Sequence, residues 1–125
     1  IEDIENLEFA LYYSIKITDN FVNETENENI IRVGKNILNI NESKLEIGNK
    51  VIYLSENETK ILEILFINSN EIIKQKTIIN YCWPKGKNSS SLLDVSIFRL
   101  RKKIKEINKG KDIIKTVRNK GYKII

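Results

Sequence analysis

The chain has 125 residues, 41% of them hydrophobic, which suffices for one domain with a core and excludes disorder throughout. No apolar run approaches the ~18 residues of a membrane span, no signal segment opens the chain, and a single cysteine excludes an internal disulfide, so we expect a cytoplasmic protein. The net charge is +4, but residues 1–29 hold eight acids and one base, whereas the chain from residue 85 onward holds 13 bases and three acids. That concentration of positive charge favours a polyanionic partner such as nucleic acid.

Residues 1–29 differ from the rest of the chain. Apolar residues at helical spacing, behind Asp3 as an N-cap candidate, predict a helix near residues 3–17. The acidic stretch "TDNFVNETENEN" that follows has no periodicity and indicates a linker. Because the chain opens with isoleucine and contains no methionine, we expect a fragment of a longer protein.

Residues 30–55 alternate short β-branched runs with turn sequences, namely "GK", "NES" and "GNK". Leu45 and Ile47 lie two residues apart before the last turn, and Val51 and Tyr53 lie two residues apart after it, which is typical of a tight hairpin. We therefore predict a small antiparallel sheet of three or four strands.

Three helices and a second hairpin are predicted after this sheet. Ser55 and Glu58 have the spacing of a capping box, and the helix that they open should end near residues 68–70. A shorter helix is predicted at about 74–82 and a third at 91–107, separated by a loop that contains proline and glycine. Two strands around the turn "NKG" complete residues 113–125. This order is that of a winged helix, in which helices two and three form the helix-turn-helix and the hairpin is the wing.

The third predicted helix has two distinct faces. Its buried face should consist of apolar residues at spacings of three and four, namely Leu93, Ile97, Leu100, Ile104 and Ile107. Its opposite face combines small residues, one ring and cations, namely Ser91, Val95, Phe98, Arg99, Lys102 and Lys105. A solvated face would normally mix charge signs, yet only Glu106 does so here. We therefore predict contact with nucleic acid, with a merely solvated cationic helix as the alternative.

Residues 30–125 resemble the winged-helix effector domain of OmpR/PhoB-type response regulators. The resemblance rests on "VIYLSENETKILEIL", on "KQKTIINYCW" closing at Trp83, on "LLDVSIFRLRKKI" and on "IIKTVRNKGYKI", in this order. The combination of DVxIxRLRxKI with TVRxxGY at this spacing is far more specific than either piece alone. Residues 1–29 are similar to the last helix of a receiver domain followed by a linker, although any amphipathic helix would give the same pattern at the start.

The resemblance implies an α+β winged helix-turn-helix fold and the output domain of a two-component transcription regulator. Such domains bind double-stranded DNA as homodimers on tandem half-sites, after phosphorylation of the receiver domain. The third helix would enter the major groove with Arg99 as the main base reader, and Arg118 on the wing would reach the minor groove. The candidate DNA-binding residues are Ser91, Val95, Phe98, Arg99, Arg101, Lys102, Lys103, Arg118 and Lys120. Lys85 and Lys87 lie in the loop that meets RNA polymerase in that family.

Several residues depart from the family pattern or have a simpler role. Phe98 stands where a basic residue is common, and it could either touch a thymine methyl group or pack under the wing. Lys74 stands where a capping Ser or Thr is usual, so the second helix should fray more at its start. Cys82 is expected to be a small buried hydrophobic residue.

The sequence also argues against catalysis. It contains no histidine, no glycine-rich phosphate loop, and no cysteine beside a base, so we expect neither an enzyme nor a bound metal or cofactor. The stronger competitor to DNA binding is a winged helix that serves as a protein-interaction module, with its basic face against an acidic partner.

Overall fold

The computed structural model describes residues 29–84 and 90–125. The predictions for the N-terminal helix, for the linker and for Lys85 and Lys87 lie outside these residues. The described elements, in chain order, are β1 Ile30–Val33, β2 Asn36–Asn39, β3 Lys44–Ile47, β4 Lys50–Tyr53, α1 Glu56–Ile67, β5 Ile73–Lys74, α2 Gln75–Cys82, α3 Ser90–Ile107, β6 Ile114–Val117 and β7 Gly121–Ile124. This order confirms the predicted winged helix-turn-helix.

Strands β1 to β4 form an antiparallel sheet in which each strand pairs with the next one along the chain. Leu38 on β2 faces Leu45 on β3, and both side chains are completely buried. The predicted hairpin joins β3 to β4 through Gly48, whose φ of +63° suits glycine. On β4, Val51 and Tyr53 point away from the core and are exposed. Four strands are therefore present, the upper end of the predicted range.

Helix α1 begins with the capping box that the sequence predicts. The Ser55 amide donates to Glu58 Oε1 at 2.8 Å, and the Glu58 amide donates to Ser55 Oγ at 3.2 Å. These bonds satisfy amide groups that a helix start otherwise leaves without partners. The helix contacts β1, α2, α3 and β7, so its apolar side chains form the centre of the core.

Helices α2 and α3 form the helix-turn-helix. Lys74 precedes α2 and makes no side-chain capping hydrogen bond, as its type predicts. Cys82 at the end of α2 is buried, and burial raises the pKa of its thiol to about 12. A thiol with so high a pKa stays protonated and is therefore a poor nucleophile and a poor metal ligand. On α3 the predicted stripe is confirmed for four of its five residues, since Leu93, Ile97, Leu100 and Ile104 are buried, whereas Ile107 is only partly buried.

The wing consists of β6 and β7, and a further strand joins it. The two-residue strand β5 pairs with β7, which gives a three-stranded sheet in the order β5-β7-β6. At the contact, a Cβ added to Gly121 would overlap the backbone carbonyl of Ile73. The wing is thus joined to the segment between α1 and α2 through a close backbone approach that requires glycine.

Of the helices in the described ranges, none combines the length and apolar character that a membrane crossing requires.

Candidate nucleic-acid interface

The outer face of α3 keeps its cations in solvent. Arg99 and Lys102 are exposed, and Ser91 is exposed near the start of the helix. The opposite face is the buried stripe, so packing orients α3 with its cationic side outward. The sequence-predicted division of the helix into two faces is therefore the arrangement that the structure has.

Phe98 also lies on this outer face. Its side chain is 64% exposed, so it does not pack under the wing, and contact with a thymine methyl group stays a prediction. Lys102 Nζ lies 5.9 Å from the centre of the Phe98 ring, within reach of a cation–π contact. Val95, one turn earlier, is 46% exposed. Apolar and cationic groups therefore share one surface.

Arg101 connects α3 to the wing. Its Nε lies 3.0 Å from Asp112 Oδ2, and its terminal nitrogen donates to Thr116 Oγ1 at 2.6 Å and to the Ile114 carbonyl at 3.2 Å. Its guanidinium also lies 5.9 Å from the centre of the Tyr122 ring. Burial is the main cause that raises the pKa of the Tyr122 phenol, so the ring is neutral under this cation. Arg101 thus fixes the helix against β6 and β7.

Lys103 connects α3 to α1 and β4. Its Nζ donates to Glu58 Oε1 at 2.7 Å and to the Tyr53 carbonyl at 3.1 Å. The Glu58 side chain is 4% exposed and also accepts the Ser55 amide of the capping box. One lysine therefore joins α3 to the first turn of α1 and to the end of β4.

Sequence reasoning missed these two sets of partners. They lie on other elements, as much as 50 residues away from Lys103 along the chain, and no local pattern pairs them. No sequence signal singles out Glu58 as the partner of a lysine, because the same helix also carries Glu56 and Glu63. DNA contact by Arg101 and Lys103 stays a prediction, because the structure shows only their partners within the protein.

The turn of the wing presents the remaining predicted cations. Arg118 and Lys120 are both exposed between β6 and β7. Within residues 29–84 and 90–125, no three histidine, cysteine or carboxylate side chains gather as metal ligands. The exposed groups of α3 and of the wing can therefore act by binding anions and by hydrogen bonding to them.

Known proteins share both the sequence and the fold of this region. Residues 48–124 match the family model described as "Transcriptional regulatory protein, C terminal". The response regulator protein GraR of Staphylococcus aureus is 36% identical over 87 residues, which cover 69% of this chain and 38% of GraR. The chain spans about two fifths of the length of the curated relatives that it matches.

Two solved structures extend the comparison to the fold. The C-terminal domain of the nisin resistance regulator NsrR, a lantibiotic response regulator, superposes with a TM-score of 0.66 at 32% identity and covers 75% of this chain and 95% of that one. The DNA-binding domain of Klebsiella pneumoniae RstA, in complex with the RstA box, gives a TM-score of 0.61 at 26% identity and covers 76% and 95%. The matching family is one of DNA-binding domains and not a class of enzymes. The matches in sequence and in fold both extend from the end of the first sheet to the wing. The chain therefore belongs to the transcriptional regulatory protein C-terminal family and carries the winged-helix output domain of a transcription regulator, as its resemblance to OmpR/PhoB-type effector domains implied.

Proposed function

We propose that this domain binds double-stranded DNA with sequence specificity, with α3 in the major groove and the turn of the wing at the minor groove. The observation that carries the proposal is the outer face of α3, where Arg99 and Lys102 are exposed on a helix whose other face is buried. The major groove admits an α-helix and displays a distinct pattern of donors and acceptors for each base pair. The similar DNA-binding domain of RstA, which is in complex with the RstA box, supports the proposal that this domain binds DNA.

The contacts follow from side-chain chemistry. Arg99 has a planar fork that can bond two guanine acceptors, whereas Lys102 is a point charge suited to phosphate. Ser91 lies near the start of α3, where a helix can approach the DNA closely, and Arg118 and Lys120 would follow the backbone or the minor groove. The side chains of Arg101 and Lys103 are 27% and 36% exposed, which leaves room for a phosphate contact beside their internal bonds.

For the whole protein we propose a cytoplasmic response regulator in which phosphorylation of a receiver domain controls this domain. The proposal is supported by GraR, a response regulator of which the matched part covers 38%. Two copies would bind tandem half-sites side by side. Lys85 and Lys87 are candidates for contact with RNA polymerase on sequence grounds.

Selection of DNA from a random pool by this chain tests the proposed function. We expect a tandem repeat with a period of about 10–11 bp, because neighbouring copies would lie one helical turn apart. The affinity for the selected site should fall steeply with salt, as phosphate contacts release counterions. Recovery of no preferred sequence would instead favour the protein-interaction module.

Arg99→Ala and Lys102→Ala should have different effects on the selected site. Loss of Arg99 should weaken binding by about 1–3 kcal/mol and relax specificity at one base pair. Loss of Lys102 should weaken binding to all sequences about equally and reduce the salt slope by about 1. Affinities measured for the selected site and for its single-base variants, at several salt concentrations, distinguish the two.

Thermal melting provides the control for both variants. Arg99 and Lys102 are exposed and lie outside the buried stripe of α3, so the melting temperature should stay that of the parent. An unchanged base preference in the Arg99→Ala variant would show that Arg99 does not read a base.

A further inference from the structure

The outer face of α3 carries a row of exposed apolar side chains. Phe98 is 64% exposed, Val95 is 46% exposed, and Leu92 continues the row at 42%. Positions three apart on a helix are neighbours, so Val95 and Phe98 present one continuous apolar surface. Single exposed apolar residues are ordinary, but an aromatic ring and a branched side chain side by side on a polar helix face are typical of a contact surface.

The surroundings of this row restrict what it can contact. Arg99 follows Phe98 directly, and Lys102 Nζ lies 5.9 Å from the Phe98 ring centre. The partner must therefore offer an apolar group within a strongly negative surface. A second copy of this chain would bring the same cations against Arg99 and Lys102, which opposes self-association through this face.

The major groove of DNA has this combination of properties. Its phosphates are negative, and the C5 methyl group of thymine is the apolar group on its floor. Resting on the proposed function, we propose that Phe98, supported by Val95, contacts a thymine methyl group and so determines specificity at that base pair. Arg99 on the same face reads guanine by hydrogen bonds, so α3 uses two different chemistries on neighbouring base pairs.

Replacement of thymine by deoxyuridine tests this contact, because it removes the methyl group and keeps the base pair. The probe is the duplex selected by the parent chain, with each thymine replaced in turn. At one or two positions, deoxyuridine should lower the affinity of the parent about fourfold, the factor for burial of one methyl-sized group. Phe98→Ala should bind the thymine duplex more weakly by a similar factor and should no longer distinguish thymine from deoxyuridine there.

Two further variants make the result specific to Phe98. Phe98→Leu retains an apolar side chain and should keep part of the methyl dependence. Tyr53→Ala removes an aromatic side chain that is 69% exposed on β4 but keeps the backbone carbonyl that accepts from Lys103, so it should respond to deoxyuridine as the parent does. Since the side chains of Phe98 and Tyr53 are both mostly exposed, the variants at these two positions should keep the melting temperature of the parent.

The outcomes separate this inference from the proposed function. If the parent selects a site but Phe98→Ala retains the full methyl dependence, the thymine contact is refuted and DNA binding stands. If the parent selects no site, both are refuted. If Phe98→Ala binds the selected duplex normally but abolishes binding to purified RNA polymerase, the row is a protein contact and the thymine contact is refuted as well.

Discussion

Gly121→Ala should destabilise the domain by about 3 kcal/mol, near the upper end of the usual effect of overpacking. The added Cβ would overlap the Ile73 carbonyl and lie 3.0 Å from Lys74 Cα, and both are backbone atoms that cannot swing aside as a flexible side chain does. To make room, β5 would have to separate from β7, where Lys74 faces Gly121. Chemical denaturation measures this loss as a lower free energy of unfolding.

Gly48→Ala is the matched control. Gly48 also has a positive φ, +63°, but a Cβ there would meet nothing within 4 Å. Its substitution should therefore cost only the left-handed backbone conformation, roughly 1 kcal/mol. Equal losses from the two substitutions would contradict the close contact with β5 as the reason for glycine at position 121.

Lys103→Met should lower the free energy of unfolding by about 2 kcal/mol, because it removes the cation beside the Glu58 carboxylate. Nζ of Lys103 lies 2.7 Å from that carboxylate, whose side chain is 4% exposed. The loss stays below the ~3–5 kcal/mol of a fully buried pair, since Lys103 itself is 36% exposed and the Ser55 amide still bonds to Glu58. Methionine preserves most of the apolar stem, so the measured difference reports mainly the charge.

The neighbouring residue and the partner acid provide the controls. Lys102→Met removes a cation from the exposed side of the same turn and should change stability by less than about 0.5 kcal/mol. Glu58→Gln combined with Lys103→Met should cost less than the sum of the single substitutions, because the pair is lost only once. Strict additivity in this cycle would show that Lys103 stabilises the domain by some other contact.

The features that the sequence predicted are local ones. The capping box at Ser55 and Glu58 depends on residues three apart, and the buried stripe of α3 depends on helical periodicity, so both could be found without knowledge of the fold. The wing and the first sheet follow from alternation and from turn residues in the same way. These patterns also determined which face of α3 meets solvent, and with it the positions of Phe98, Arg99 and Lys102.

The features that the sequence did not predict depend on tertiary packing. Strand β5 has two residues, too few for any alternation to be visible, and it forms only because β7 lies beside it. The partners of Arg101 and Lys103 lie on other elements. These two cations therefore bind within the protein, whereas Arg99 and Lys102 of the same run "RLRKK" are exposed to solvent. Exposure of Phe98 was one of two outcomes that its position on the helix allowed.

The two anchors of α3 also bear on how the helix meets DNA. Arg101 holds the helix to the wing and Lys103 holds it to α1 and β4, so the two anchors together oppose rotation of α3 about its own axis. Arg99 lies two residues from the first anchor, so in the proposed complex it would reach the groove in an orientation that is fixed before binding. Less conformational entropy is then lost when the complex forms, and more of the contact energy appears as affinity. If α3 reads bases as proposed, substitutions at Asp112 or Glu58, which lie off α3, should alter that recognition by loosening the helix.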